Sequence, residues 1–98
     1  MKSHYNRLKE IESRLPMHAS TSHASFISNL FSEYEKTLFE IINYSDDLKR
    51  DLYGYANELP GISSLIKRSK FNDAVKGMKY DIEAILVKLK NSLAALNL

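Results

Sequence analysis

The sequence predicts an all-α fold, an antiparallel helical hairpin with a short N-terminal helix that together form a three-helix bundle. Apolar residues recur at steps of three and four along most of the 98-residue chain, which is the spacing of one helix face. Glycine and proline are few, with three and two residues, so the chain has room for only a few long elements. A chain this short supports one hydrophobic core, and we expect a single helical-bundle domain over residues 1–98.

The first predicted element is a short amphipathic helix near the N-terminus. Its apolar face carries Tyr5, Leu8, Ile11 or Glu12, and Leu15. Pro16 ends this helix, because the residue before a proline is pushed out of helical geometry. The polar segment 16–23 that follows is predicted to be a connector.

The longest apolar pattern predicts a long second helix. Ten positions alternate at steps of four and three, and only one of them is polar. They are Ile27, Phe31, Tyr34, Leu38, Ile41, Ser45, Leu48, Leu52, Tyr55 and Leu59.

A break at Ser45 is the alternative, since Ser45 and the two aspartates after it have helix N-cap chemistry. We favour one helix over residues 22–59, about 55 Å long, because a turn would preserve the heptad phase only by accident. Its stripe is broad enough to need two neighbouring helices.

The segment Leu59-Pro60-Gly61 predicts the reversal between the two long helices. Proline removes a backbone donor, and glycine accepts the left-handed geometry of a helix end. Residues 62–68 form either a separate short helix or the kinked start of the last helix. A second heptad series predicts that last helix, with positions Phe71, Val75, Met78, Ile82, Ile85, Leu89 and Leu96.

Charge is divided unevenly between the two halves of the predicted hairpin. Residues 24–60 carry seven acidic and three basic side chains, whereas residues 61–98 carry three acidic and seven basic ones. We therefore expect basic residues of the last helix to face the acidic second helix, although exposed pairs contribute only about 0.2–1 kcal/mol each.

Several classes of function lack the motifs that they require. Phosphate-binding glycine loops, nucleophile elbows and paired histidines are missing from the sequence, so we expect no enzyme, no cofactor and no small-molecule substrate. The three histidines have no carboxylate or cysteine at ligand spacing, and we assign no metal. The sequence has neither a membrane-length apolar segment nor a secretory signal, so we expect a cytoplasmic protein.

The broad apolar stripes predict a protein–protein interaction module. Contiguous exposed apolar surface usually marks an interface, and a small core gains stability from association. We expect an adaptor, an immunity-type inhibitor, or a regulatory or assembly subunit that binds stoichiometrically and self-associates, most simply as a homodimer. The candidate contact residues are Tyr44, Tyr53, Tyr80, Ala84 and Val87.

Nucleic-acid binding is the alternative, and it would use the densest basic stretch of the chain. This basic row consists of Lys67, Arg68, Lys70, Lys76 and Lys79. Phosphate neutralisation by such a row would be the source of affinity. Asp73 interrupts the row, however, and only Arg68 can make bidentate base contacts. Basic residues facing an acidic neighbour explain the same row, so protein binding is the leading hypothesis.

Overall fold

Five α-helices and one short 3₁₀ turn form the computed structural model, which describes the backbone of residues 1–95 and the side chains of residues 1–92. The helices are α1 (Lys2–Arg14), α2 (Ala24–Ile42), α3 (Asp46–Ala56), α4 (Leu59–Lys67) and α5 (Phe71–Ala95), and the 3₁₀ turn (Thr21–His23) precedes α2. The predicted all-α helical bundle is confirmed. The end of α1 just before Leu15 and Pro16 is confirmed as well.

The single helix predicted over residues 22–59 is wrong, because the chain turns at Asn43–Ser45. Ser45 is extended, with φ −154° and ψ 158°, and its hydroxyl accepts a hydrogen bond from the Leu48 backbone N–H at 3.1 Å. Asp46 and Asp47 fill the first turn of α3, where the helix dipole favours negative charge. The heptad phase survives the turn because α2 and α3 each need an apolar face towards the same core. The longest dimension of the molecule is consequently 42 Å rather than 55 Å.

The predicted helix end at Leu59-Pro60-Gly61 is also wrong, because α4 begins there. A short turn at Asn57–Glu58 separates α3 from α4, and Pro60 lies in the first turn of α4. Proline is tolerated at that place because the first backbone N–H groups of a helix have no partner within it. The separate short helix considered for residues 62–68 therefore exists as α4, and it starts three residues earlier than expected.

The chain reverses instead between α4 and α5, at Ser69. Its φ of 60° is the one positive value among the described non-glycine residues. The Ser69 N–H donates to the Ile66 carbonyl at 3.0 Å, and the Lys70 N–H donates to the Leu65 carbonyl at 2.8 Å. These two bonds form a Schellman motif, in which the left-handed position is usually glycine.

Helix α2 occupies the centre of the bundle, in contact with α1, α3, α4 and α5, and α5 also packs on α1 and α4. The expectation that the broad stripe of the second helix needs more than one neighbour is confirmed. The fully buried large side chains are Leu8, Ile11, Ile27, Leu30, Tyr34, Leu38, Ile41, Leu52, Met78, Ile82, Ile85 and Leu89. Leu96, the last position of the second heptad series, lies outside the described residues.

The ion pairs between helices connect α1 with α2. They do not connect the acidic half of the predicted hairpin with its basic half. Arg7 contacts Glu40 at 3.1 Å, and Arg14 contacts Glu33 at 3.3 Å. Among the side chains of residues 1–92, no member of the basic row forms an ion pair with an acidic residue. The ion pairs expected between this row and the second helix are therefore not formed within the described residues.

Candidate interaction surface

The outer face of α5 carries an exposed stripe made of Tyr80, Ala84 and Val87. Steps of four and three residues place the three side chains on one side of the helix. Tyr80 is 74% exposed and Val87 is 61% exposed, while Ala84 is half-buried. The opposite side of the same turns is buried, with Ile82 and Ile85 fully covered. We call these three residues the outer stripe of α5.

The other two candidate residues lie elsewhere on the molecule. Tyr44 is 60% exposed in the turn after α2, and Tyr53 is 48% exposed on α3. Tyr55 is half-buried, and it lies near Asp81 and Tyr80 of α5. Residues two apart on a helix point about 200° apart, so Tyr53 projects away from the side of α3 on which Tyr55 approaches α5. The five predicted residues therefore fall into two groups, and the outer stripe of α5 is the more continuous one.

A pair of carboxyl groups lies beside this stripe, where α5 meets the turn between α3 and α4. Asp81 is only 4% exposed, and the pKa of its carboxyl responds to a second carboxyl, that of Glu58. Burial and then Glu58 raise the pKa of Asp81 to about 7. A proton on one of the two groups is favourable, because two ionised carboxylates near each other repel. We call Asp81 and Glu58 the acid pair.

Two tyrosines adjoin the acid pair. Tyr34 of α2 is completely buried, and its hydroxyl has no hydrogen-bond partner among the described residues. Burial and then the nearby Asp81 raise the pKa of Tyr34 far above its ordinary value. The pKa of Tyr55 is raised in the same way, by burial and by Asp81. Polar groups of three chain segments thus meet around one buried carboxyl of α5.

Sequence reasoning missed this cluster, although one signal was available. Asp81 stands three residues after Met78 and four before Ile85, and both of those side chains are fully buried. That spacing places a carboxyl on the apolar side of the helix, where it needs a partner or a proton. The partner, Glu58, follows from the turn at Asn57–Glu58, which the prediction of one continuous helix had excluded.

A second carboxyl pair joins α5 to α1. Glu12 of α1 lies near enough to Glu83 of α5 for the two carboxyl groups to influence each other. Burial and then Glu83 raise the pKa of Glu12, whereas the charges of Lys79 and Lys9 act in the opposite direction. Asp81 and Glu83 are two residues apart and point to opposite flanks of α5, so each flank of this helix turn meets a carboxyl from a neighbouring element.

All five residues of the basic row are exposed. Lys67, Arg68 and Lys70 lie at the end of α4 and in the turn after it, and Lys76 and Lys79 lie on α5. The row therefore continues from the α4–α5 turn along the first half of α5.

An open cavity of about 460 Å³ lies where the connector meets the start of α5. The Asn72 Oδ1 atom accepts a hydrogen bond from the Ala19 backbone N–H at 2.6 Å and joins its two walls. The residues that line the cavity are Ala19, Ser20, Thr21, Ser69, Lys70, Phe71, Asn72 and Asp73. They include one carboxylate, one lysine and no histidine, so general acid–base chemistry would have only Asp73 and Lys70 to use.

Comparison of the chain with protein-family models, with curated proteins and with solved structures finds no significant match. Function is consequently argued from the surface features of this chain alone.

Proposed function

We propose that the protein is a non-enzymatic protein–protein interaction module that binds through the outer stripe of α5, as an adaptor, an inhibitor or an assembly subunit. One observation carries the proposal, the exposure of Tyr80 and Val87 on a single face of the longest helix. Tyrosine suits such a surface because its ring buries a large area while its hydroxyl keeps a hydrogen bond.

A second copy of the chain is the simplest partner. A helix face packed against its own copy about a two-fold axis buries the same patch twice, which is how most homodimers are built. The added apolar contact would stabilise a small core, whose net stability is typically only about 5–15 kcal/mol. We therefore propose a homodimer, in the cytoplasmic setting expected from the sequence. None of the helices within the described residues has the length and apolar character to cross a membrane.

Sedimentation of the wild-type protein and of matched variants tests this proposal. The wild-type protein should sediment as a dimer, and the double variant Tyr80→Glu, Val87→Glu as a monomer with unchanged helical circular dichroism. The control is Met17→Glu, because Met17 is 84% exposed but lies in the connector, away from α5. This control should remain dimeric. An unchanged mass for the double variant would refute the assignment of the interface to the outer stripe of α5.

Nucleic-acid binding is the second candidate function, favoured by the basic row. Its five side chains are exposed, and none forms an ion pair within the described part of the chain. Counterion release would make such binding weaken steeply with salt. A gel shift of labelled DNA or RNA that weakens with salt and disappears in a triple variant, Lys67→Ala, Arg68→Ala, Lys70→Ala, would favour this function over protein binding.

A further inference from the structure

The exposed half of α5 carries more positive than negative charge around its apolar residues. We propose that the preferred partner of the outer stripe of α5 is an amphipathic helix of another protein, in which acidic residues flank the apolar face. This inference rests on the proposed function, because it names the partner that fits the same stripe. A second copy of the chain is the weaker occupant, and the acidic helix displaces it.

Helix geometry places lysines on both sides of the outer stripe. With about 100° between successive residues, Lys76 lies about 40° from Tyr80 on one side of α5, and Lys88 lies about 80° from Tyr80 on the other. Lys90 lies about 80° from Tyr80 on the side of Lys76. All three lysines are exposed. Side chains at such angles border the contact when one helix packs along another.

Little within the described part of the chain offsets these three positive charges. None of the three lysines forms an ion pair among the side chains of residues 1–92. Between positions 76 and 90, Glu83 is the one exposed acidic residue, and Asp81 is buried. A partner that carries carboxylates beside its own apolar face therefore meets mostly opposite charge along α5.

The apolar part of the surface fits a helix better than it fits a phosphate backbone. Tyr80 and Val87 are exposed by 74% and 61%, and a partner must cover both rings and methyl groups to gain from them. Ala84 lies half-buried between them and leaves space for an apolar side chain of the partner. An amphipathic helix supplies such side chains at steps of three and four residues.

A second copy of α5 matches this surface less well. Each copy contributes three lysines and one glutamate, so most of the charges that meet have the same sign. Like charges across an interface oppose association and reject a partner. The homodimer should consequently be the weaker complex, and its association should strengthen as salt screens the lysines.

Binding of two designed helical peptides to the whole protein tests the proposal. Both peptides have leucine at heptad positions a and d, and they differ only at positions e and g, which are glutamate in the acidic peptide and lysine in the basic one. Fluorescence anisotropy at low salt should show that the acidic peptide binds at least about tenfold more tightly, because each lysine that gains an opposite charge contributes about 1.4- to fivefold and each like pair opposes binding.

Charge reversal on α5 should reverse this preference. In the double variant Lys76→Glu, Lys88→Glu, the basic peptide should bind more tightly than the acidic one. The control Lys49→Glu makes the same change at an exposed lysine of α3 and should keep the wild-type preference. The variant Tyr80→Glu, Val87→Glu should bind neither peptide. All of these changes are at exposed positions, and unchanged helical circular dichroism verifies the fold.

Four results would overturn the proposal. They are the absence of binding by the acidic peptide, equal binding of the two peptides, an unchanged preference in Lys76→Glu, Lys88→Glu, and tighter binding of a labelled single-stranded DNA than of the acidic peptide. None of these results refutes the proposed function as long as the wild-type dimer dissociates in Tyr80→Glu, Val87→Glu. A dimer that survives this variant, together with undiminished peptide binding, would refute both.

Discussion

Replacing Ser69 by glycine should raise the free energy of unfolding by about 0.5–1 kcal/mol. Ser69 has a φ of 60°, where a side chain with a Cβ costs about 1–2 kcal/mol. Glycine avoids that cost but loses about 0.5–1 kcal/mol through the greater freedom of the unfolded chain. Both Schellman hydrogen bonds are made by backbone atoms and are unaffected by the substitution. The difference therefore favours glycine.

Thermal denaturation followed by circular dichroism measures this gain. For a domain of this size, about 0.5–1 kcal/mol corresponds to a rise in Tm of about 2–8 °C. Ser69→Ala is the first control, since it removes the hydroxyl but keeps the Cβ, and it should show no gain. Arg68→Gly is the second control. Arg68 has a φ of −90°, so glycine there should only destabilise the helix end.

The reasoning on Ser69 would be refuted by either of two outcomes. A Ser69→Gly protein that melts at or below the wild-type temperature would mean that the left-handed geometry is not the source of strain. An equal gain for Ser69→Ala would mean that the hydroxyl, rather than the Cβ, is unfavourable there. Neither variant touches the outer stripe of α5, so association should be unchanged in both.

Two further substitutions test the α2–α3 turn and the buried cluster. Ser45→Ala removes the side-chain acceptor of the Leu48 N–H, and chemical denaturation should show a loss of about 1 kcal/mol. Ser45→Asp is its control and should retain most of the stability, because aspartate also caps helices. Tyr34→Phe removes a buried hydroxyl that has no partner among the described residues, and the free energy of unfolding should rise by about 1 kcal/mol. Tyr5→Phe, at a half-buried ring of α1, is the matched control and should change little.

Opposite outcomes would contradict these two expectations separately. Full stability in Ser45→Ala would argue that the α2–α3 turn is held by packing and not by its cap. A loss of stability in Tyr34→Phe would mean that the hydroxyl is bonded in solution, either to the acid pair or to a water molecule.

The sequence predicted the helical class because periodicity reports which face of a helix is buried. The spacing of apolar residues alone was enough to identify the inward positions from Ile27 to Leu38 and from Met78 to Leu89. However, the same periodicity does not show where the chain changes direction. A helix that turns back on its neighbour still directs its apolar face to the core, so the phase persists from α2 into α3. Local cap chemistry at Ser45 was the better guide to the break.

The candidate surface was predictable only in part. Exposure of Tyr80 and Val87 followed from their place opposite the heptad seam of α5. The acid pair could not be predicted from the sequence, because Glu58 comes near Asp81 only once the chain has turned twice after α2. The surroundings of the basic row could not be predicted from the sequence either, since opposite charge on two segments does not by itself bring their side chains together.

The NMR spectrum of the isotope-labelled protein, recorded across a dilution series, tests most directly the claim that α5 presents the binding face. Concentration-dependent shifts of backbone amides should centre on Tyr80, Ala84 and Val87, and should be weak along the basic row. Shifts confined to Lys67, Arg68 and Lys70 would contradict the claim. So would a spectrum that is independent of concentration in a protein whose mass is that of a monomer.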